Sequence, residues 1–564
     1  MIQSTPTIIG LKQENPNAKI TVLVEKQFEA ICHSIPEIDE VVPVDLGMTV
    51  RAITREGDGI IDAYEYVDEL VSSLRAKNFD YCLNMSSSAY TALLLSLLDI
   101  KRRGGWTADE EGFRVIESEW ARLFATSVFH QNRKYSPFNL VDVFRCAGDV
   151  EKHPNTLKIA VKDEAREYCR KFIEDAKFTN TGPLLIVQAG ASQSKRQWAP
   201  SNFIKCISIL VKEHNVRVVL SGSKKELSII NPIKEGCNSE NVAVAAGKTN
   251  IPQLAALLEM ADLLLTGDTG PMHMSIAVGT PVVAMFLASA FGFETGPYRE
   301  GNLVLQPKIG CYPCNPNKAC SKPICHFAID PEDLARLVIE RLKSDFLVLP
   351  KGIIKKSNMT VFRTYFDEFG FYDLEALNSE DEDVSKMRKS YRKLWLDDIG
   401  GFLVDDSNSS KDKNNDNNQN NNQNNNNDNN NDNNNDSNDD KKPTCIIYDA
   451  ELPDSLPWKQ NLNELKKCAK EGKTLIAKLE RLVKDTNSPA KELGVVNREI
   501  SELDRRIEQL GYDSPELAPL SRLFVFSKEN IFGTEVLDLA SQTREIYDDL
   551  ERRSNKLEEY FLKL

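Results

Sequence analysis

The residues with the most chemical promise lie in one heptapeptide, Gly267-Asp268-Thr269-Gly270-Pro271-Met272-His273. An apolar run, 262–266, leads into it and a helical pattern, 272–278, leads out. Proline suits a first helical turn, where its missing N–H has no partner to lose. Backbone N–H groups around Thr269 to Met272 would then face an anion such as a phosphate, with the Thr269 hydroxyl as a further donor and His273 one turn in. Gly270 permits close backbone approach. The same residues also fit a plain strand–turn–helix link, with Asp268 as cap and His273 satisfied in a core.

Two neighbouring segments carry matching chemistry. The run 184–187 ends in Gln188-Ala189-Gly190-Ala191 and then Lys195-Arg196-Gln197-Trp198, so Lys195 and Arg196 could reach a diphosphate. The run 216–220 ends in Ser221-Gly222-Ser223, followed by Glu226. Its carboxylate could accept from a ribose or sugar hydroxyl, or equally cap the first turn of a helix.

The elements that must position these groups alternate strand and helix. Strand-like runs at 184–187, 216–220, 242–245, 262–266 and 281–286 are separated by helical patterns, which predicts a doubly wound α/β unit over 165–345 with a ligand crevice at the strands' carboxyl ends. Residues 1–164 alternate similarly, with strand-like runs at 20–24 and 79–84, and predict a second unit of the same kind. A small extension, 346–404, holds a candidate hairpin at 359–365 and 369–372 and an amphipathic helix at 384–396. Residues 405–443 are an Asn/Asp tract too polar to offset chain entropy, and they read as a disordered linker. The tail, 444–564, carries three apolar stripes at helical spacing, the second ending at Gly511. They predict a helical bundle or coiled coil, structural or oligomerising in role.

Composition narrows the class. The 564 residues exceed what one core supports. A net charge of −14 argues against nucleic acid as a partner. The basic clusters Lys101-Arg102-Arg103 and Arg133-Lys134 could meet anionic lipid or an acceptor, but read first as solvated faces. With neither a signal peptide nor an 18-residue apolar run, the expected location is the cytoplasm, at the inner membrane face if lipid is the acceptor. Four of the twelve cysteines, Cys311, Cys314, Cys320 and Cys325, fall within fifteen residues. A structural zinc or iron–sulfur cluster would use four such ligands; free thiols or disulfides are the alternatives.

These motifs resemble glycosyltransferase family 9, the ADP-heptose:lipopolysaccharide heptosyltransferases. The resemblance spans residues 1–345, and its most specific block is Asp268-Thr269-Gly270-Pro271-Met272-His273. Gly190-Ala191 with Lys195-Arg196-Gln197-Trp198, Ser221-Gly222-Ser223 with Glu226, and Gly296-Pro297-Tyr298 continue it. It implies the GT-B plan of two Rossmann-like domains around a cleft, and inverting transfer needing no metal or other cofactor. An ADP-heptose donor would be held by Arg196, Glu226, Asp268, Thr269, Gly270 and His273. The acceptor would be a lipopolysaccharide core or another lipid-linked glycan, which allows peripheral membrane contact.

Such chemistry must stabilise the charge gathering on a departing nucleoside diphosphate, and helix N-termini with basic side chains do this without a metal. The resemblance places a first strand and a Gly-Asp loop, bearing the general base, before the residues that match Met1 to Pro6. The expectation is a start site set too late. The alternative is an impaired nucleotide-sugar-binding or scaffold protein.

Overall fold

The computed structural model describes residues 1–54, 59–109, 111–127, 132–150, 152, 156–344, 348–402, 455–485 and 490–564, so the Asn/Asp tract lies outside the described residues. In the first unit, β1 (Thr21–Glu25) pairs in parallel with β2 (Glu40–Val44). Next, β3 (Tyr81–Asn84) pairs in parallel with β4 (Arg102–Ala108), which pairs antiparallel with β5 (Arg114–Ile116). These are two separate sheets, where the sequence alternation reads as one. Helices Gly59–Arg75 and Ala89–Ser96 bury Leu70, Val71, Leu74, Leu94 and Leu95 in a local core.

The large sheet contains β6 (Leu184–Gln188), β7 (Arg217–Ser221), β8 (Val242–Val244), β9 (Leu263–Gly267), β10 (Val282–Met285) and β11 (Leu303–Pro307), all parallel. The hairpin β12 (Met359–Phe366) and β13 (Tyr372–Ala376) completes the order β13-β12-β11-β10-β9-β6-β7-β8. The chain enters at β6, steps out to β8, returns to β9 beside β6, and then moves the other way. That reversal opens a crevice at the carboxyl ends of β6 and β9. Helices cover both faces, so Leu185, Ile186, Val187, Leu263, Leu264 and Leu265 are fully buried. Two-faced burial is why these strands read as unbroken apolar runs.

β12 pairs antiparallel with β11, so the large sheet continues past the limit expected at 345. β11 was not among the expected strands.

The tail forms helices Lys459–Lys484, Ala490–Asp513, Ala518–Lys528 and Val536–Lys563. Gly511 does not stop its helix. A β-carbon there would strike the Ser521 side chain, so the glycine lets two helices approach closely instead. The apolar stripes join one cluster with Trp120, Tyr135 and Phe138 of the first unit and with Tyr391 and Trp395 of helix Glu382–Asp398. Polar bridges reinforce it. Arg553 pairs with Glu119 and, at 2.6 Å, with Asp398. The Tyr135 hydroxyl donates to Glu516 at 3.0 Å, and the Ile116 N–H donates to the Asn530 side chain at 2.6 Å. No helix among the described residues is long and apolar enough to cross a membrane.

Candidate active site

The β9 strand delivers Asp268 to the crevice. Thr269 then takes an extended backbone as the cap of helix Gly270–Ala277, with Pro271 in its first turn. The Thr269 hydroxyl does not cap that helix; it bonds the Thr266 hydroxyl at 2.9 Å. Gly270 is exposed, and a β-carbon on it would meet nothing within 4 Å, so space opens above the helix N-terminus.

His273, one turn in, is buried, and its Nδ1 has no protein partner. Burial, with the Met1 amino group nearby, lowers its pKa to about 4, so the ring is neutral at neutral pH. Met272 differs from expectation. Its side chain lies in the core and its N–H already donates to the Thr269 carbonyl at 3.1 Å, leaving it no group for an anion.

Arg196, on the loop after β6, faces Asp268: Nη1 lies 3.4 Å from Oδ2, and Nε donates to the Ser289 hydroxyl at 3.0 Å. Burial pushes the Asp268 carboxyl above the usual carboxylate range. Arg196 and the Thr295 hydroxyl draw it back, and Glu294 opposes them.

Lys195 sits beside Arg196 yet turns away. Its ammonium donates to the backbone carbonyls of Asn315, Pro316 and Lys318 at 3.2, 2.8 and 2.8 Å. Three backbone carbonyls thus satisfy the three N–H donors of its ammonium. The His326 ring on the Lys195 carbonyl, and the Trp198 indole donating to the His326 carbonyl, fasten the same loop.

Glu226 accepts from the Ser223 N–H at 2.6 Å and from the Gln188 side chain at 3.1 Å, completing a capping box where β7 ends. The capping alternative is therefore present, at the crevice edge.

The remaining cysteine-loop expectation fares differently. Cys311 and Cys320 are exposed, Cys314 is half-buried, and Cys325 is buried in the core and bonded to the backbone of Ala288. The thiols lie near enough to raise one another, with burial the larger cause at Cys314, whose pKa reaches about 11. Among the described residues no group of three or more His, Cys, Asp or Glu side chains is placed to hold a metal ion. A tetrahedral site takes four such ligands, and the four thiols lie near one another in this loop.

Arg133 overturns its reading as a solvated face. It is buried, and it grips the Glu294 carboxylate with Nε at 3.1 and 3.2 Å and with Nη2. Its Nη1 donates to the Ser289 carbonyl at 2.9 Å. Ser289, Glu294 and Thr295 were likewise not singled out in the sequence. Nothing in local spacing marks them, because each acts across the crevice.

Residues 67–324 match the model of glycosyltransferase family 9 (heptosyltransferase). The chain is 26% identical to lipopolysaccharide heptosyltransferase 3 of Escherichia coli K12 over 295 residues, 51% of this chain and 79% of that protein. It is 27% identical to the lipopolysaccharide core heptosyltransferase OpsX of Haemophilus influenzae over 320 residues, 56% of this chain and 81% of that protein. A solved family 9 glycosyltransferase from Veillonella parvula aligns with 61% of this chain and 93% of its own, at TM-score 0.48 and 20% identity. The crevice residues Arg133, Arg196, Glu226, Asp268, His273 and Glu294 all fall inside the span that matches the family 9 model.

Proposed function

We propose that the chain transfers a heptosyl residue from ADP-heptose to a lipopolysaccharide-core or other lipid-linked acceptor, with inversion and without a metal. The observation that carries this reading is the meeting of the Arg196–Asp268 pair and the open first turn at Gly270 at one crevice. The relatives named as lipopolysaccharide heptosyltransferases support the choice of sugar and acceptor.

In this reading the donor diphosphate lies over Gly270. A helix N-terminus contributes ~0.3–1 kcal/mol toward a nearby anion, whereas one hydrogen bond to a charged group contributes about 1.5–3 kcal/mol. Arg196 therefore matters more than the helix end as charge moves onto the leaving group. Its bond to Asp268 is long at 3.4 Å, which leaves the guanidinium able to turn toward phosphate. His273, neutral at neutral pH, adds no charge beside this turn. Asp268 stays beside the transferred sugar, and Glu226 takes a hydroxyl of the nucleoside or sugar.

The test is a panel of ADP-, GDP- and UDP-sugars read by thermal shift, followed by ADP release with heptose-deficient lipopolysaccharide as acceptor. A shift with ADP-heptose, ADP release unaffected by EDTA, and an inverted anomeric centre by proton NMR are the expected results. A shift only with UDP- or GDP-sugars, or activity abolished by EDTA, sinks the reading.

A further inference from the structure

The crevice holds a buried carboxylate, Glu294, a half-buried one, Asp268, and two guanidiniums, Arg196 and Arg133. The two ion pairs are unequal. Arg133 clasps Glu294 as a fork using two of its nitrogens. Arg196 holds Asp268 through a single long contact. The pairs are also joined, because Ser289 accepts Arg133 on its carbonyl and Arg196 on its hydroxyl.

Burial raises the Glu294 carboxyl; Arg133 opposes this first, and the Arg196 charge and the Ser127 hydroxyl add smaller opposing effects. Arg196 thus feels both carboxylates, and what keeps it on Asp268 is that Glu294 already has a partner.

That partner comes from the first unit and is rigidly delivered. Asn132 donates to the Thr126 carbonyl at 2.7 Å, and Tyr135 and Phe138 are buried in the aromatic core behind it. Tyr135 in turn is tied to Glu516 of the tail.

Resting on the donor reading above, we propose that Arg133 is a positioning residue of the donor site: by neutralising Glu294 it leaves the Arg196 guanidinium to Asp268 and to the donor diphosphate. Without Arg133, Glu294 would be a buried carboxylate without its counter-charge, and the next guanidinium acting on it is that of Arg196. The loss is then one of charge balance. Removing the carboxylate as well should relieve it.

Four full-length variants test this: Arg133→Met, Arg133→Lys, Glu294→Gln and the double variant Arg133→Met with Glu294→Gln. Each is titrated calorimetrically with ADP and melted by circular dichroism. Arg133→Met is expected to weaken ADP binding by at least about tenfold and to lower the melting temperature. The double variant is expected to return to within about threefold of the native affinity and to melt above Arg133→Met. Arg133→Lys keeps the charge and loses the fork, so it weakens binding by less than about threefold.

Native-like ADP binding by Arg133→Met, or a double variant no better than Arg133→Met in both readouts, overturns the proposal. Should the native chain bind no ADP, the donor reading fails, and the melting temperatures still decide: recovery in the double variant upholds the charge arrangement and no recovery overturns it.

Discussion

The carboxylate of Glu226 occupies the space that a β-carbon on Gly190 would need. The loop leaving β6 and the turn leaving β7 are interlocked at the crevice through that contact, and Gln188 and Ser223 hold the carboxylate there. Gly190→Ala is therefore expected to expel Glu226, break its capping box and weaken ADP binding by about tenfold, at a stability cost of roughly 1–3 kcal/mol. Calorimetric titration and urea unfolding of the variant measure both. An alanine variant with native affinity would show that Glu226 has no part in holding the donor.

The Arg196–Asp268 pair separates binding from turnover. Arg196→Met removes the cation proposed to meet the diphosphate, and turnover should fall by at least about tenfold, with a rise in donor KM. Asp268→Asn keeps the shape and loses the charge, so kcat should fall by at least about tenfold with a smaller change in KM. Initial rates over a range of donor concentrations distinguish the two patterns. Native rates in both variants would mean that the reacting centre lies elsewhere.

His273 gives a signature in stability against pH. Its pKa in the fold is about 4 against an ordinary 6.5, so below 6.5 the unfolded chain takes up the proton first. Stability from this group is complete above 6.5 and is lost as pH falls toward 4. From pH 7 to pH 5 the loss is about 2 kcal/mol. His273→Gln removes that dependence, so the native chain should lose about 2 kcal/mol more than the variant across this interval. Equal losses in urea unfolding at the two pH values would place a protonated or exposed ring at this position.

The tail is expected to be inseparable from the rest. Trp395 is fully buried where helix Glu382–Asp398 meets the tail cluster, so Trp395→Ala should cost about 3–5 kcal/mol. Deleting residues 455–564 should expose Trp395, Tyr391 and Leu394 and yield an aggregating chain, seen by size-exclusion chromatography with light scattering. A monomeric truncated chain melting at the native temperature would show that the tail contributes nothing to the core.

Much of this was determined by sequence alone. Strands buried on both faces must be apolar along their whole length, and the turns that end them must break that run. The positions of Arg196, Glu226 and the Asp268 to His273 block at neighbouring strand ends are therefore legible in the sequence. Tertiary structure decided which charges meet.

Lys195 and Arg196 are adjacent in sequence, yet carbonyls more than a hundred residues away turn one lysine out while the arginine faces in. Arg133 looked solvated because its counter-ion, Glu294, lies 161 residues further on, and no local pattern encodes such a partner. The tail stripes likewise announced that one helix face must be covered. Only the fold showed that the first unit and helix Glu382–Asp398 cover it, because an apolar face records that water is excluded and not which surface excludes it.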